Sequence, residues 1–331
     1  VHLTSASHSV STSSPARTAG AASTQPLRLL VLGGTRFLGR AVVEAALAEG
    51  HQVTLFNRGR TNPGLFPEVE TVIGDRTADL SDLSDLSTPA NPGGPTGRHW
   101  DAVIDVAGYL PEVVARSVNA LRGRVDRYLF ISSLSVLADQ STVQDEDGEV
   151  LRLCEGTPPH ELYGARKAAC EQAVLDGFGS QATIIRPGMI VGPHDPTDRF
   201  AYWPRRFARG GRVLLPGDPA DAAQFIDVRD LADWILRCVR SALGGTFNTT
   251  GRPMHFGDFF AGCSTVTRST AEPVWVSSER LLGAGVDPWM GVPMWIADPA
   301  CAAINQVDVS RALGAGLTLR PLERTLLDTL A

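Results

Sequence analysis

The patterned part of the chain begins with a short apolar run, Leu27 to Leu32, that ends in Gly33-Gly34. Apolar residues then recur at helical spacing from Phe37 to about Glu49, Gly50 supplies a stop, and His51 to Phe56 is a second apolar run. Short apolar runs bounded by turn residues read as buried strands, and a strand-turn-helix-strand unit implies a parallel sheet. The same logic predicts strands at Val69 to Ile73, Ala102 to Val106, Tyr128 to Ser132 and Ala182 to Ile185, with helices at Pro111 to Leu121 and Leu162 to Leu175. Residues 87–98, rich in Pro, Gly and Thr, and residues 139–160, with the acidic centre Asp145-Glu146-Asp147, read as long loops.

After Arg186 the alternation weakens, and prolines, tryptophans and arginines become frequent. The expected fold is α/β: a doubly wound parallel sheet over residues 27–186, then a smaller substrate lobe over 187–331. Residues 223–240, which look like a strand and a capped helix, are expected to return to the first unit. Residues 1–26 are rich in Ser, Thr and Ala, contain no acid and lack the apolar core of a secretion signal, so they are expected to form a disordered, dispensable leader.

Composition narrows the function. Net charge is −6, which disfavours a nucleic-acid partner. The five cysteines include no C-x-x-C pair, and the seven histidines show no metal-ligand spacing, so reduced thiols, a cytoplasmic location and no metal are expected. No apolar run is long enough to span a membrane.

Among thirty basic residues only one is a lysine, Lys167, four positions after Tyr163. Residues i and i+4 share a helix face, so the two can point into one site. A nearby cation would pull the phenol pKa down from about 10, making Tyr163 a candidate acid-base group. The turn Gly33-Gly34-Thr35-Arg36-Phe37-Leu38-Gly39 lies between a strand and a helix, where glycines allow close approach of a pyrophosphate to the helix N-terminus. Arg36 stands where the glycine motif would have its middle glycine, near the phosphates, and the second strand ends in Asn57-Arg58 where an NAD-specific site would place an acid for the ribose hydroxyls. NADP(H) is therefore expected over NAD(H), because an arginine attracts a 2′-phosphate. The tryptophan-rich C-terminal part, with Trp203, Trp289, Met290 and Trp295, suits either lobe core or a pocket for an apolar or ring-containing substrate.

With the glycine turn, Ser133 and Tyr163/Lys167 in this order, the chain resembles the short-chain dehydrogenase/reductase superfamily, specifically its extended or atypical members grouped as NAD-dependent epimerase/dehydratases. The resemblance spans about residues 27–330 and implies a Rossmann-type fold. It implies a pyrophosphate turn at Gly33, Thr35, Arg36, Phe37 and Leu38, ribose contacts at Asn57 and Arg58, and an adenine contact at Asp75-Arg76. Val106, Ala107 and Gly108 match the strand end beside the cofactor, and Pro187, Gly188 and Met189 the segment beside the nicotinamide. Ser133 matches the residue that holds the substrate oxygen, Tyr163 the proton donor or acceptor, and Lys167 its ribose-binding helper.

The family's dehydratases carry an acidic pair where this chain has Leu134-Ser135, and its nucleotide-sugar enzymes an Asn where it has Met189. The first departure argues against sugar dehydration, and the second favours a reductase of a small-molecule carbonyl, hydroxyl or imine. An epimerase with tightly held NAD(P) is the alternative. A third reading is RNA binding on a dehydrogenase scaffold, since the resemblance extends to chloroplast stem-loop-binding proteins and residues 205–212 form a basic cluster around Phe207.

Overall fold

A computed structural model describes residues 25–77 and 98–330. Most of the expected leader and of the loop at 87–98 lie outside the described residues. Seven strands form one all-parallel sheet: β1 (Arg28–Leu32), β2 (Gln52–Asn57), β3 (Glu70–Ile73), β4 (Ala102–Asp105), β5 (Tyr128–Ile131), β6 (Ala182–Pro187) and, much later in the chain, β11 (Gly245–Thr249). Their spatial order is β11-β6-β5-β4-β1-β2-β3. The central strands are buried on both faces, which is why they appear as unbroken apolar runs.

Helices α1 (Phe37–Ala48), α2 (Pro111–Leu121) and α3 (Leu162–Phe178) follow β1, β4 and the long loop after β5. On one face of the sheet Leu29, Val31 and Ile104 pack with Val42 and Val43 of α1. On the other, Leu30, Val103 and Phe130 pack with Val114 and Val118 of α2 and with Cys170 and Val174 of α3. The result is the doubly wound Rossmann-type α/β fold. Its strand order reverses between β1 and β4, and ligands of such sheets bind at the carboxyl ends of the strands flanking that crevice.

After β6 the chain builds β7 (Met189–Val191), α4 (Tyr202–Ala208), β8 (Arg212–Pro216), β9 (Ala222–Ala223) and β10 (Phe225–Asp227). The helix α5 (Val228–Arg240) then packs against α1 on the first core through Leu231, Ile235 and Val239. The return to the first unit is broader than residues 223–240. It also includes the edge strand β11 and the pair Ala312 and Leu317, which join the same apolar cluster. The pattern missed β11 because GTFNT is short and half polar. The last elements are β12 (Met254–His255), α6 (Phe256–Thr267), β13 (Glu272–Val276), α7 (Ser278–Gly283), α8 (Ser310–Gly314) and α9 (Leu322–Leu330). A second core forms from Phe200, Trp203, Phe207, Phe259 and Phe260, closed by Leu326 of α9.

The loop at 139–160 is anchored by its acidic centre. Glu146 is buried, accepts a hydrogen bond from Asn248 N at 2.8 Å and pairs with Arg311 at 3.3 Å. Its carbonyl accepts from Arg186, whose guanidinium forks onto Glu171 of α3.

Candidate active site

The glycine turn leaves β1 with Gly33 at φ +116° and Gly34 at φ +102°, conformations that side chains rarely adopt. A Cβ on Gly33 would lie 2.6 Å from Val106 at the end of β4, and one on Gly39 would meet the backbone nitrogen of Gly34 at 2.7 Å. Glycine therefore lets α1 start directly against the turn. No side chain caps α1 and no acid lies in its first turn, so its N-terminal N–H groups keep their affinity for an anion. Thr35 is pinned through its carbonyl, which accepts from Asn62 Nδ2 at 2.9 Å. Arg36 is exposed, Phe37 opens the helix at φ 42°, and Leu38 is buried under it.

At the end of β2, Asn57 Oδ1 accepts from Gly59 N at 2.7 Å, while its buried Nδ2 has no partner. An unpaired buried donor is costly, and here it sits at the position expected to meet a ribose. Arg58 is exposed beside it. Asp75 accepts from Thr77 N and Oγ1, which hold its carboxyl below the usual range, with further pull from Arg58 and Arg60. These features, a cradle that a Cβ would fill and an orphan donor, fit a dinucleotide along the ends of β1, β2 and β4.

Arg76 departs from expectation. Its side chain turns under the sheet and forks onto Asp105 of β4, both bonds at 2.7 Å, while its Nε donates to Ser117 of α2 at 3.0 Å. It is buried and committed, so its guanidinium is not a cofactor contact. Asp105 also accepts from Tyr128 at 2.7 Å and from Ala107 N at 3.1 Å. Burial opposes ionisation of Asp105, but Arg76 and these donors hold its carboxyl below the ordinary value. Sequence reasoning missed Asp105 because nothing in a buried run marks which partner an acid will meet.

Lys167 is buried on α3, and its Nζ donates to Gly108 O at 2.7 Å and Ile131 O at 2.6 Å. The ammonium also lies over the rings of Phe130 and Tyr109, 4.7 and 5.0 Å from their centroids. Burial pulls its pKa down to about 8, against an opposing pull from Asp105. Tyr163 is half exposed where it lines the pocket. Its phenol is raised above the ordinary value by surrounding protein, with the Ser133 hydroxyl offsetting part of the effect. The expectation of a lowered phenol pKa is therefore reversed here, because Lys167 is turned to two backbone carbonyls and does not act on the phenol.

Ser133 accepts from Ser135 N at 3.1 Å and opens the 3-10 turn Leu134–Val136. A cavity of about 400 Å³ brings together Ser133, Tyr163, Phe37, Pro187, Gly188 and Met189. Gln224, Thr250, Arg199, Trp289, Ile296, Ile304 and Asn305 contribute from the C-terminal part. Trp203 and Trp295 are fully buried core, Met290 is exposed, and Trp289 alone of this set reaches the cavity. Half of the arginines in the basic cluster at 205–212 are engaged locally. Phe207 is buried, Arg205 pairs with Asp198 at 2.9 Å, and Arg206 donates to the carbonyls of Gly210 and Arg212. Among the described residues no group of His, Cys, Asp and Glu could hold a metal ion, and no helix is long and apolar enough to cross a membrane.

Residues 29–249 match the NAD dependent epimerase/dehydratase family. The chain belongs to that family. It is 25% identical over 68% of its length to the chloroplast stem-loop binding protein of 41 kDa b of Arabidopsis thaliana. It is 29% identical over 59% of its length to the 2′-dehydrokanamycin reductase of Streptomyces kanamyceticus. The matched regions span 58% and 53% of those two relatives. Among solved structures, the UDP-glucuronic acid 4-epimerase of Bacillus cereus in complex with NAD shares the fold at TM-score 0.64 and 16% identity, covering 92% of this chain and 96% of that one.

Proposed function

We propose that the protein is an NADP(H)-dependent reductase of a small-molecule carbonyl or imine, able to run in reverse on the alcohol or amine. The observation that carries this reading is that Ser133 and Tyr163 line one cavity with Phe37 of the cofactor turn and with Pro187 to Met189. A nicotinamide dinucleotide held by the turn supplies the hydride. Ser133 donates to the substrate oxygen and orients it. Tyr163, whose raised pKa keeps it protonated at neutral pH, gives that oxygen a proton. The carbonyl carbon gains the hydride and its oxygen the proton, leaving an alcohol. Lys167 keeps an ammonium beneath the site as a donor to the ribose. Arg36 and Arg58, both exposed beside the turn, favour the 2′-phosphate of NADP(H).

The relative that reduces 2′-dehydrokanamycin supports reduction over epimerisation. So does Met189, an apolar side chain where the family's nucleotide-sugar enzymes carry an amide. RNA binding is the weaker reading: one relative is a stem-loop binding protein, but the aromatic at the centre of the basic cluster is core. The test is Tyr163→Phe assayed with NADPH on panels of ketones, aldehydes and imines. Turnover is expected to fall about 10²- to 10⁴-fold, with NADPH affinity kept. Full activity in the variant would sink the mechanism.

A further inference from the structure

Among the described residues, Arg199 is the one charged side chain that lines the cavity holding Ser133 and Tyr163. The guanidinium lies over the Trp289 ring, 5.2 Å from its centroid. Its Nε donates to Thr197 Oγ1 at 3.2 Å, and among the described residues no carboxylate pairs with it. The acids of its loop are engaged elsewhere: Asp195, whose carboxyl feels the Arg199 charge, is held by the N–H and hydroxyl of Thr197, both at 2.8 Å, and Asp198 pairs with Arg205 at 2.9 Å. Trp289 itself sits at φ +63°, a left-handed conformation that a bulky side chain occupies only when the surroundings impose it. A left-handed backbone thus presents an indole, a guanidinium lies over its ring, and among the described residues no carboxylate hydrogen-bonds to that guanidinium.

We propose that Arg199, laid on Trp289, anchors the substrate by a carboxylate, so that the substrate is a carbonyl compound bearing a carboxylate group, or the corresponding hydroxy acid. The proposal rests on the reductase reading for the carbonyl and on this side-chain pair for the acid. A planar guanidinium matches a carboxylate bidentately, and the indole beneath it limits where that guanidinium can sit. The remaining wall is apolar or neutral, so a single negative charge is matched. Thr250 adds a buried hydroxyl with no partner on the same wall. A nucleoside diphosphate fits poorly. The adjoining hollow of about 600 Å³, which shares Ile296 and Asn305 with the cavity, carries Asp221, Asp258 and Asp298, which would repel its phosphates.

The experiment uses the full chain loaded with NADP+ and two matched probe pairs, 4-acetylbenzoate against 4-acetylbenzamide and levulinate against levulinamide, with binding followed by calorimetry. At least one acid should bind roughly tenfold or more tightly than its amide, the difference expected of a charged hydrogen-bonded pair. Arg199→Met and, as a second neutral variant, Arg199→Gln should abolish that difference while leaving NADP+ affinity and thermal midpoint unchanged. Trp289→Leu should reduce it. Equal binding of acid and amide in both pairs, no binding of any probe, or an acid preference that survives Arg199→Met would overturn the anchor. Because binding is read without turnover, an acid preference in a protein that reduces nothing would keep the anchor and sink the reductase reading instead.

Discussion

Arg76 and Asp105 are the clearest case at the residue scale of a side chain reassigned by its surroundings. Their bidentate pair is almost wholly buried, so removing one partner strands a charge. Asp105→Asn is expected to destabilise the fold by about 3–5 kcal/mol, as buried pairs do when one side is neutralised. Replacing both, by Arg76→Met with Asp105→Leu, should cost less than either single change, which urea unfolding of the three variants would check. Lys167 makes a separate pH-dependent prediction. Its pKa is about 8 in the fold and 10.5 ordinarily, so between those values the unfolded chain binds more protons at this residue. Stability contributed by this group therefore rises with pH across that window, the cost of the buried charge being present below pH 8 and relieved above it. The stability of wild type relative to Lys167→Met should increase from pH 8 to 10.5 by an amount on the order of a few kcal/mol. A gap that does not change with pH would mean that the buried ammonium carries no such cost.

At the level of elements, α3 works because it is seated against the Ser133 turn. Gly164, between Tyr163 and the rest of the helix, passes so close to that turn that a Cβ would lie 2.0 Å from Ser135 O and 2.8 Å from Leu151. A backbone carbonyl gives little, so Gly164→Ala must lift the helix from the turn and separate Tyr163 from Ser133. Turnover is expected to fall about 10²-fold, since displacements near 1 Å at a reacting centre cost that much. NADPH affinity, set by the turn after β1, should change far less. Parallel measurement of kcat and of the cofactor dissociation constant would detect the split, and equal losses in both would contradict it.

For the molecule as a whole, the acidic net charge and the local arginines act in opposite directions on the cofactor. NADPH brings extra negative charge to a protein of net charge −6, and the proposed preference for it rests on Arg36 and Arg58, exposed at the ends of β1 and β2. Both are exposed, so their attraction is screened over a Debye length of about 10 Å at 0.1 M salt. NADPH is expected to bind roughly tenfold more tightly than NADH at low salt, with the ratio shrinking as salt is added. Fluorescence titration at two salt concentrations tests this, and equal affinities at low salt would remove the preference.

Local pattern was enough for the sheet and its first helices, because strands buried on both faces and amphipathic helices obey periods that can be counted along the chain. It was also enough for the glycine turn, where only residues without a Cβ fit, and for the pairing of Tyr163 with Lys167 on one helix. The half-polar strand β11 escaped it, since an edge strand is defined by the neighbour it joins. The direction of the Lys167 ammonium, the raised phenol of Tyr163, the burial of Arg76 against Asp105 and the division of the tryptophans into core and cavity wall were decided by tertiary structure. Each depends on which groups distant in the chain are brought within a few ångströms, and on how much water that packing removes. Neither quantity is carried by the order of residues within one element.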